Sequence, residues 1–406
     1  MAVGNESLGR FELRSTKIET VLGISALAAL VAVPVFHAPA ALLFLVTGIL
    51  LAALRPLSTV SNLIGTKAIF ILPGFCLLSV LWSLYPGLTI RYALQLLATF
   101  VIAVLIARRV PFRTALLATF AALFLSVLLS VLIGSYRSDS GALVGLFGSK
   151  NEMAGMAALL ALSGFGIATL RDIAPAARAL GALGFILGLS AVVLAQSVGA
   201  LGYLPAAIIA FLAVMLLPKL GLSTRMTGAA LGLMLTLLFG VFLVAQFNLF
   251  SSAFFDLTGK DFTLTGRIEL WQVALNLIAE RPFLGTGYQA FWVPGHPPAE
   301  ALWEAFGIVS RSGFNFHNAY LSNAVEIGLL GLTIEIAVVV LALVLSGRLA
   351  LQTGSREAAL LFAIGSFMTV MTLFEAPVFF QFSLQSALYV MIILYASAAL
   401  RAAPHH

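Results

Sequence analysis

TLTGRIELWQVALNLIAERPFLGTGYQAFW (Thr263–Trp292) and FNFHNAYLSNAVEIGLLGL (Phe314–Leu332) bracket the useful content of one long polar interval, Asn248–Tyr320. On either side of it the sequence is nearly continuous apolar helix. That contrast decides the fold. Of 406 residues, 61% are hydrophobic and 9% are charged, whereas a soluble domain carries about 25% charged residues. The 22 Lys and Arg with 16 Asp and Glu cannot cover a globular surface, so lipid is the main solvent. The net charge of +6 is then a matter of which side of a membrane the cations occupy, not a nucleic-acid footprint.

A helix needs about 20 apolar residues to cross the hydrocarbon. Working outward from the interval, twelve runs qualify: roughly 18–36, 39–54, 68–84, 88–107, 114–133, 151–170, 177–195, 199–217, 227–247, 318–345, 358–375 and 378–400. The expectation is an all-α polytopic membrane protein of about twelve transmembrane helices. Helices one to nine fall in 1–247, a large loop in 248–316, and helices ten to twelve in 317–406. A closed β-barrel is excluded, because the runs are long and uniformly apolar with no inside/outside alternation. No internal repeat of fixed period and no low-complexity segment is present. Residues 1–17 are polar, and the run after them lacks a convincing small-residue cleavage site, so it reads as a retained first span.

With the N-terminus in the cytoplasm, fifteen Lys and Arg from Arg10 to Arg401 fall in cytoplasmic segments. The short outer loops keep only Arg91, Arg137 and Lys150. This is the positive-inside pattern. It places both termini in the cytoplasm and the 248–316 loop outside, which in a bacterium is the periplasm.

The loop holds four cations (Lys260, Arg267, Arg281, Arg311) and six acids, so any anion there is held by individually placed arginines. Residues 266–280 have helical spacing, with Ile268, Trp271, Ala274, Leu275 and Ile278 on one face. Arg267 sits in the first turn. An arginine there opposes the helix dipole unless an anion binds, when free N–H groups and the guanidinium converge on it. The alternative is a solvated arginine, or one paired with Glu269. Trp271, Trp292 and Trp303 pack the loop onto the bundle, dip into the membrane interface or stack on sugar rings. Arg281-Pro282 ends the helix. The GTGYQA that follows is not a dinucleotide fingerprint, because no strand precedes it.

His317, then Asn318 and Tyr320, form a polar mouth to the tenth helix. Imidazole titrates near neutrality, which suits a proton acceptor; the alternative is a hydrogen-bonded anchor. Glu326 lies deeper and needs a partner, Arg91 or Lys150, or a proton. Arg91 and Lys150-Asn151 are the outer-face exceptions, either interface anchors or cations directed into an anion-binding cavity. His37 and His296 show no ligand spacing, so no metal is expected. The lone Cys76 reads as a small core or lipid-facing residue.

TGRIELW…IAERPFLGTGYQAFW, then HNAYLSNAVEIGLLGL, preceded by FGSKNEMAG and WSLYPGLTIRYAL, resembles the O-antigen ligase/Wzy polymerase superfamily, and within it the ExoQ-like exopolysaccharide-polymerase branch. The resemblance runs from about Trp82 to Leu332. It implies a metal-independent, GT-C-like membrane glycosyltransferase without cofactor. Such proteins move a glycan from an undecaprenyl-diphosphate donor to an acceptor hydroxyl at the periplasmic face of the inner membrane. By the resemblance Arg267 matches the arginine that binds the lipid diphosphate and His317 the histidine beside the acceptor. Lys150 and Asn151 match a KN motif, and Arg91 an arginine of the early span. One departure stands out. Where many members carry an SRG-like motif, this chain reads Gln196-Ser197-Val198-Gly199. Arg91, Lys150 or Arg311 is then expected to supply the second cation.

The expected partners are the lipid-linked donor, a lipid-linked or lipid A-core glycan acceptor, and membrane lipid. Chain-length regulator and export proteins are further candidates; nucleic acid is not. Three functions compete: a polymerase of lipid-linked repeat units, a ligase delivering finished polymer to lipid A core or protein, and a precursor transporter or flippase. A transporter favours inverted repeats with polar residues at midplane. Here no repeat is found and the polar residues gather at the outer interface, which favours the enzyme.

Overall fold

A computed structural model describes residues 16–217, 221, 267–376 and 378–402. The chain opens with α1 (Lys17–Phe36), α2 (Ala38–Leu54) and α3 (Pro56–Ile64). A short helix α4 (Ile71–Leu78) lies between two 3-10 turns, and α5 (Pro86–Arg109) and α6 (Phe112–Ile133) follow. A two-stranded hairpin, β1 (Ser135–Tyr136) with β2 (Leu143–Gly145), leads to α7 (Lys150–Thr169), α8 (Pro175–Ala195) and α9 (Val198–Leu216). Beyond residue 266 come α10 (Arg267–Glu280), α11 (Pro297–Ala305), α12 (Ala319–Thr353), α13 (Arg356–Met371) and α14 (Leu384–Ala402).

The starts follow sequence chemistry. Thr16 and Glu19 form a reciprocal capping box on α1, with Glu19 N donating to Thr16 Oγ1 (3.2 Å) and Thr16 N to Glu19 Oε2 (2.9 Å). Ser149 caps α7 by accepting from Glu152 N at 3.1 Å, and proline opens α2, α3, α5 and α8. In hydrocarbon, where no water can serve the backbone, such closure is obligatory.

The chain is an all-α multi-pass membrane protein, but the count differs from the expectation. Among the described residues eight helices are long and apolar enough to cross, or nine if the α2–α3 pair, bent by 102°, is one span. The second run forms the 17-residue α2, after which the chain turns at Arg55–Pro56 into α3. The third is divided into a short α4 and its flanking 3-10 turns, Lys67–Leu81. The eleventh is the 16-residue α13. The ninth, 227–247, lies outside the described residues.

Helix α7 is the axis, 78% buried along its apolar window. It approaches α8 closely because the contact is made of small residues. A Cβ at Gly188 would fall 2.5 Å from Ala157 O. Close backbone approach through small residues is how helices associate where lipid removes the hydrophobic drive. Cys76 is buried in the bundle.

One end of the bundle collects the basic residues expected on a single membrane face. Glu19 pairs with Arg55 (2.9 Å) and Arg109 (3.7 Å). Arg109 also donates to Leu51 O and, at 2.6 Å, to Thr59 Oγ1, stapling the α2–α3 bend to α1 and α5. Nearby termini are tied by Arg113 to Glu357 (2.5 Å) and Asp172 (2.6 Å), and by Arg356 to Thr169 O.

The segment after α10 is a strap stitched across a break in α12. Gly328 takes φ 65°, ψ −177°, which interrupts the helix and frees its neighbours' backbone groups. The strap takes these up: Leu329 N donates to Pro282 O (2.7 Å), Thr286 N to Val325 O (3.1 Å) and Gly287 N to Glu326 O (2.8 Å). On its other side Leu84 N donates to Thr286 O (2.9 Å), Trp82 Nε1 to Leu284 O (2.9 Å) and Thr89 Oγ1 to Tyr288 O (2.9 Å). The GTGYQA phrase therefore joins the WSLYPG turn to α12. A Cβ at Gly328 would lie 2.2 Å from Phe283 O in a left-handed conformation. Gly328→Ala is expected to lose about 1–3 kcal/mol from the conformation alone, and more from the clash. It should show a clearly lowered unfolding midpoint in detergent. Gly74→Ala, whose added Cβ meets nothing within 4 Å, is expected to leave that midpoint in place.

Candidate functional site

Helix α10 is the platform for Arg267. Its buried face carries Leu270 and Ala274, joined by Val273, Leu277 and Ile278. The expected face is corrected in part: Ile268 and Leu275 point outward, each about half exposed. Their place is taken by residues that pack on the aromatic cluster of Phe291, Trp303 and Phe316. That cluster is a second core, and it packs two of the loop tryptophans, Trp303 within it and Trp292 against it. Trp271 is half-buried, and its Nε1 donates to Phe316 O at 2.7 Å. It thereby ties α10 to the residue preceding His317.

Arg267 opens the helix and reaches away from Glu269. Its Nη1 donates to Phe374 O at 2.9 Å, and Nη2 lies 3.3 Å from Glu375 Oε1. His317 approaches the same carboxylate, with Nδ1 3.5 Å from Glu375 Oε2. The histidine holds φ 49°, and Asn315 Oδ1 accepts from its backbone N at 2.7 Å. Asn318 is the N-cap of α12, accepting from Leu321 N at 3.0 Å, while its Nδ2 donates to Leu373 O at 3.2 Å. Ala319 N donates to Thr372 O (2.9 Å), and Thr372 Oγ1 to Tyr320 OH (3.1 Å). The turn 372–375 is thus laced to the mouth of α12, and Glu375 is the point where loop and bundle meet.

The α8–α9 break closes another side. Gln196 ends α8 in the left-handed region, and Ser197 Oγ donates to Asn151 Oδ1 at 3.3 Å. A Cβ at Gly199 would sit 3.8 Å from Phe374 Cβ, so this break also faces the turn. Tyr203, one helical turn on, is buried. Lys150 and Asn151 open α7, half-buried, next to Glu152, which is within electrostatic reach of Glu375. The Gln196–Gly199 stretch therefore lies beside the site and brings no arginine.

Arg267, His317, Asn318, Tyr320 and Trp271 are brought together, with Lys150 and Asn151 on the flank. Three other residues singled out in the sequence lie apart from Glu375. Arg91 is exposed on α5, with its guanidinium 5.5 Å from the ring of its own neighbour Tyr92. Arg311 pairs with Glu300 at 2.9 Å and is 59% exposed. Neither is paired with Glu375. Glu326 accepts from Gln289 N (2.9 Å) and Nε2 (3.4 Å) in the strap, so its partner is an amide and not Arg91. Arg311→Ala, which removes an exposed pair worth about 0–1 kcal/mol, is expected to leave the unfolding midpoint in detergent close to the parent's.

Glu375 itself is the residue that sequence reading missed. The only signal was an acid at the end of an apolar run, where a charge is costly without a partner. Among the described residues no group of three His, Cys, Asp or Glu is placed to hold a metal ion. Chemically, the cluster offers a forked cation for an anion, a histidine for a proton, and a carboxylate between them.

The model of the family described as "O-Antigen ligase" matches residues 183–335, a segment that contains Arg267 and His317 and ends before Glu375. The chain is also similar to the exopolysaccharide production protein ExoQ of Rhizobium meliloti (strain 1021). The two are 33% identical over 319 residues, which cover 76% of this chain and 72% of that protein. With that likeness over most of both lengths, this chain belongs to the O-antigen ligase/ExoQ-like family of membrane proteins.

Proposed function

We propose that the chain is a bacterial inner-membrane glycosyltransferase that polymerises lipid-linked polysaccharide repeat units at the periplasmic face. The donor is a glycan on undecaprenyl diphosphate, and the acceptor is a sugar hydroxyl of a second lipid-linked glycan. The observation that carries this reading is the convergence of Arg267 and His317 on one carboxylate. It lies where the polar loop meets the mouth of α12.

In the proposed reaction the acceptor oxygen attacks the anomeric carbon of the donor. A new carbon–oxygen bond forms as the bond to the diphosphate breaks, and the lipid diphosphate leaves with the electron pair. The hydroxyl proton passes to the free nitrogen of His317. Arg267 neutralises the leaving group through two parallel N–H groups, which suit phosphate oxygens. That is electrostatic stabilisation of developing charge. Holding both glycans in one site adds proximity. No metal or cofactor is assigned a role, and lipid-facing helices flank the site to receive the polyprenyl tail.

A second reading is favoured by the description of the matching family: a ligase that hands finished polymer to lipid A core or protein by the same chemistry. Purified protein in nanodiscs, given an undecaprenyl-diphosphate repeat unit and no other acceptor, separates the two. Products of two or more repeats support the polymerase. Release of lipid diphosphate only after lipid A core is added supports the ligase and overturns the polymerase.

A further inference from the structure

The carboxylate of Glu375 touches both groups on which the proposed transfer depends, yet that transfer gives it no task. One oxygen is 3.3 Å from Arg267 Nη2 and the other 3.5 Å from His317 Nδ1. The two contacts are not equal. Arg267 is held twice, by the carboxylate and by Phe374 O. The Nδ1 atom of His317 is buried and has no hydrogen-bond partner, so its contact with Glu375 is within ion-pair reach but outside hydrogen-bond geometry. Glu375 is only 19% exposed. A carboxylate that shielded needs its cation, and losing the cation obliges it to find another donor. Nδ1, 3.5 Å from the carboxylate and without a hydrogen-bond partner, is placed to become that donor.

We propose, resting on the function given above, that Glu375 is a positioning residue with two alternating partners. Without donor it occupies Arg267 in the manner of a phosphate, since carboxylate and phosphate present the same paired oxygens to a guanidinium. When a lipid diphosphate takes Arg267, Glu375 turns to Nδ1. A hydrogen bond there fixes the tautomer and leaves Nε2 as the proton acceptor, because the bond made by one ring nitrogen sets the state of the other. Turning away also removes a negative charge from beside the diphosphate. The base is thus set only after the donor is seated. Contacts of this kind are often long before substrate binds and tighten afterwards.

The test uses full-length protein in nanodiscs, with undecaprenyl diphosphate as the binding probe and the lipid-linked repeat unit for turnover. Glu375→Gln keeps the shape and removes the charge. It is expected to bind undecaprenyl diphosphate severalfold more tightly, because the competing anion is gone, while kcat falls about 10- to 100-fold, the loss seen when the carboxylate that orients a metal-ligating histidine is removed. Glu375→Asp, which keeps the charge, is expected to regain part of kcat with donor affinity near that of the parent. It carries the test should the glutamine variant not fold. A purely structural residue would weaken binding and turnover together, and that parallel loss, or an unchanged kcat, overturns the inference. Wild-type protein that binds no polyprenyl diphosphate overturns the underlying function as well. Wild-type binding with an indifferent Glu375→Gln overturns this inference alone.

Discussion

Arg267→Ala is expected to lower glycan transfer about 10²–10³-fold, the usual loss when one preorganised donor to a developing anion is removed. Two contributions add. The leaving diphosphate loses its forked partner, and Glu375 is left without the cation that now faces it at 3.3 Å. Arg267→Lys restores a charge but not the fork, and a point charge cannot make the same paired contact. An intermediate rate is expected from it. The measurement is release of lipid diphosphate by purified protein in nanodiscs, alongside the unfolding midpoint. The midpoint is expected to fall somewhat, since Glu375 and Phe374 O lose their shared partner, so rates are compared at a temperature where both proteins are folded. A rate near the parent's would remove Arg267 from the mechanism.

His317 is the second. Its loss is expected to reduce kcat about 10²–10⁴-fold, the range for a positioned general base, while donor affinity is retained. The choice of substitution matters, because His317 sits at φ 49°. Alanine in the left-handed region costs roughly 1–2 kcal/mol, whereas asparagine visits it readily. His317→Asn therefore separates chemistry from backbone strain, and His317→Ala is expected to show the same loss of kcat with a lower unfolding midpoint. Equal donor binding with kcat lost is the expected pattern. Donor binding lost together with kcat would reassign the histidine to anchoring.

The apolar helices were legible because lipid permits few alternatives: a long run with no charge must satisfy its own backbone. Their number was less so. The bend at Pro56, the interrupted 67–81 segment and the short α13 depend on how helices pack, and hydropathy windows do not see packing. The strap was hidden for a related reason. Its hydrogen bonds join Trp82 to Leu284 and Thr89 to Tyr288 across about half the chain, and only the break at Gly328 makes room for it.

The candidate site divides in the same way. Arg267 and His317 stood out because each is a polar residue at the mouth of a helix, where the local cost of an unmatched group is readable. Glu375 did not, although it joins them, because its partners lie far away in sequence. Arg311 and Arg91 show the converse. Charge type announces a cation but not its partner, and Glu300 and Tyr92 satisfy these two nearby. Of the three cations expected to replace a missing middle-span arginine, Arg91 and Arg311 lie away from Glu375, and Lys150 at the start of α7 is the one that stays beside the Gln196–Gly199 break.

A cryo-electron microscopy structure of the full chain in nanodiscs with bound undecaprenyl diphosphate tests the central claim most directly. The account predicts phosphate density against the Arg267 guanidinium, with Glu375 moved off it and onto His317 Nδ1. Phosphate density elsewhere, with the Arg267–Glu375 pair intact, would contradict it.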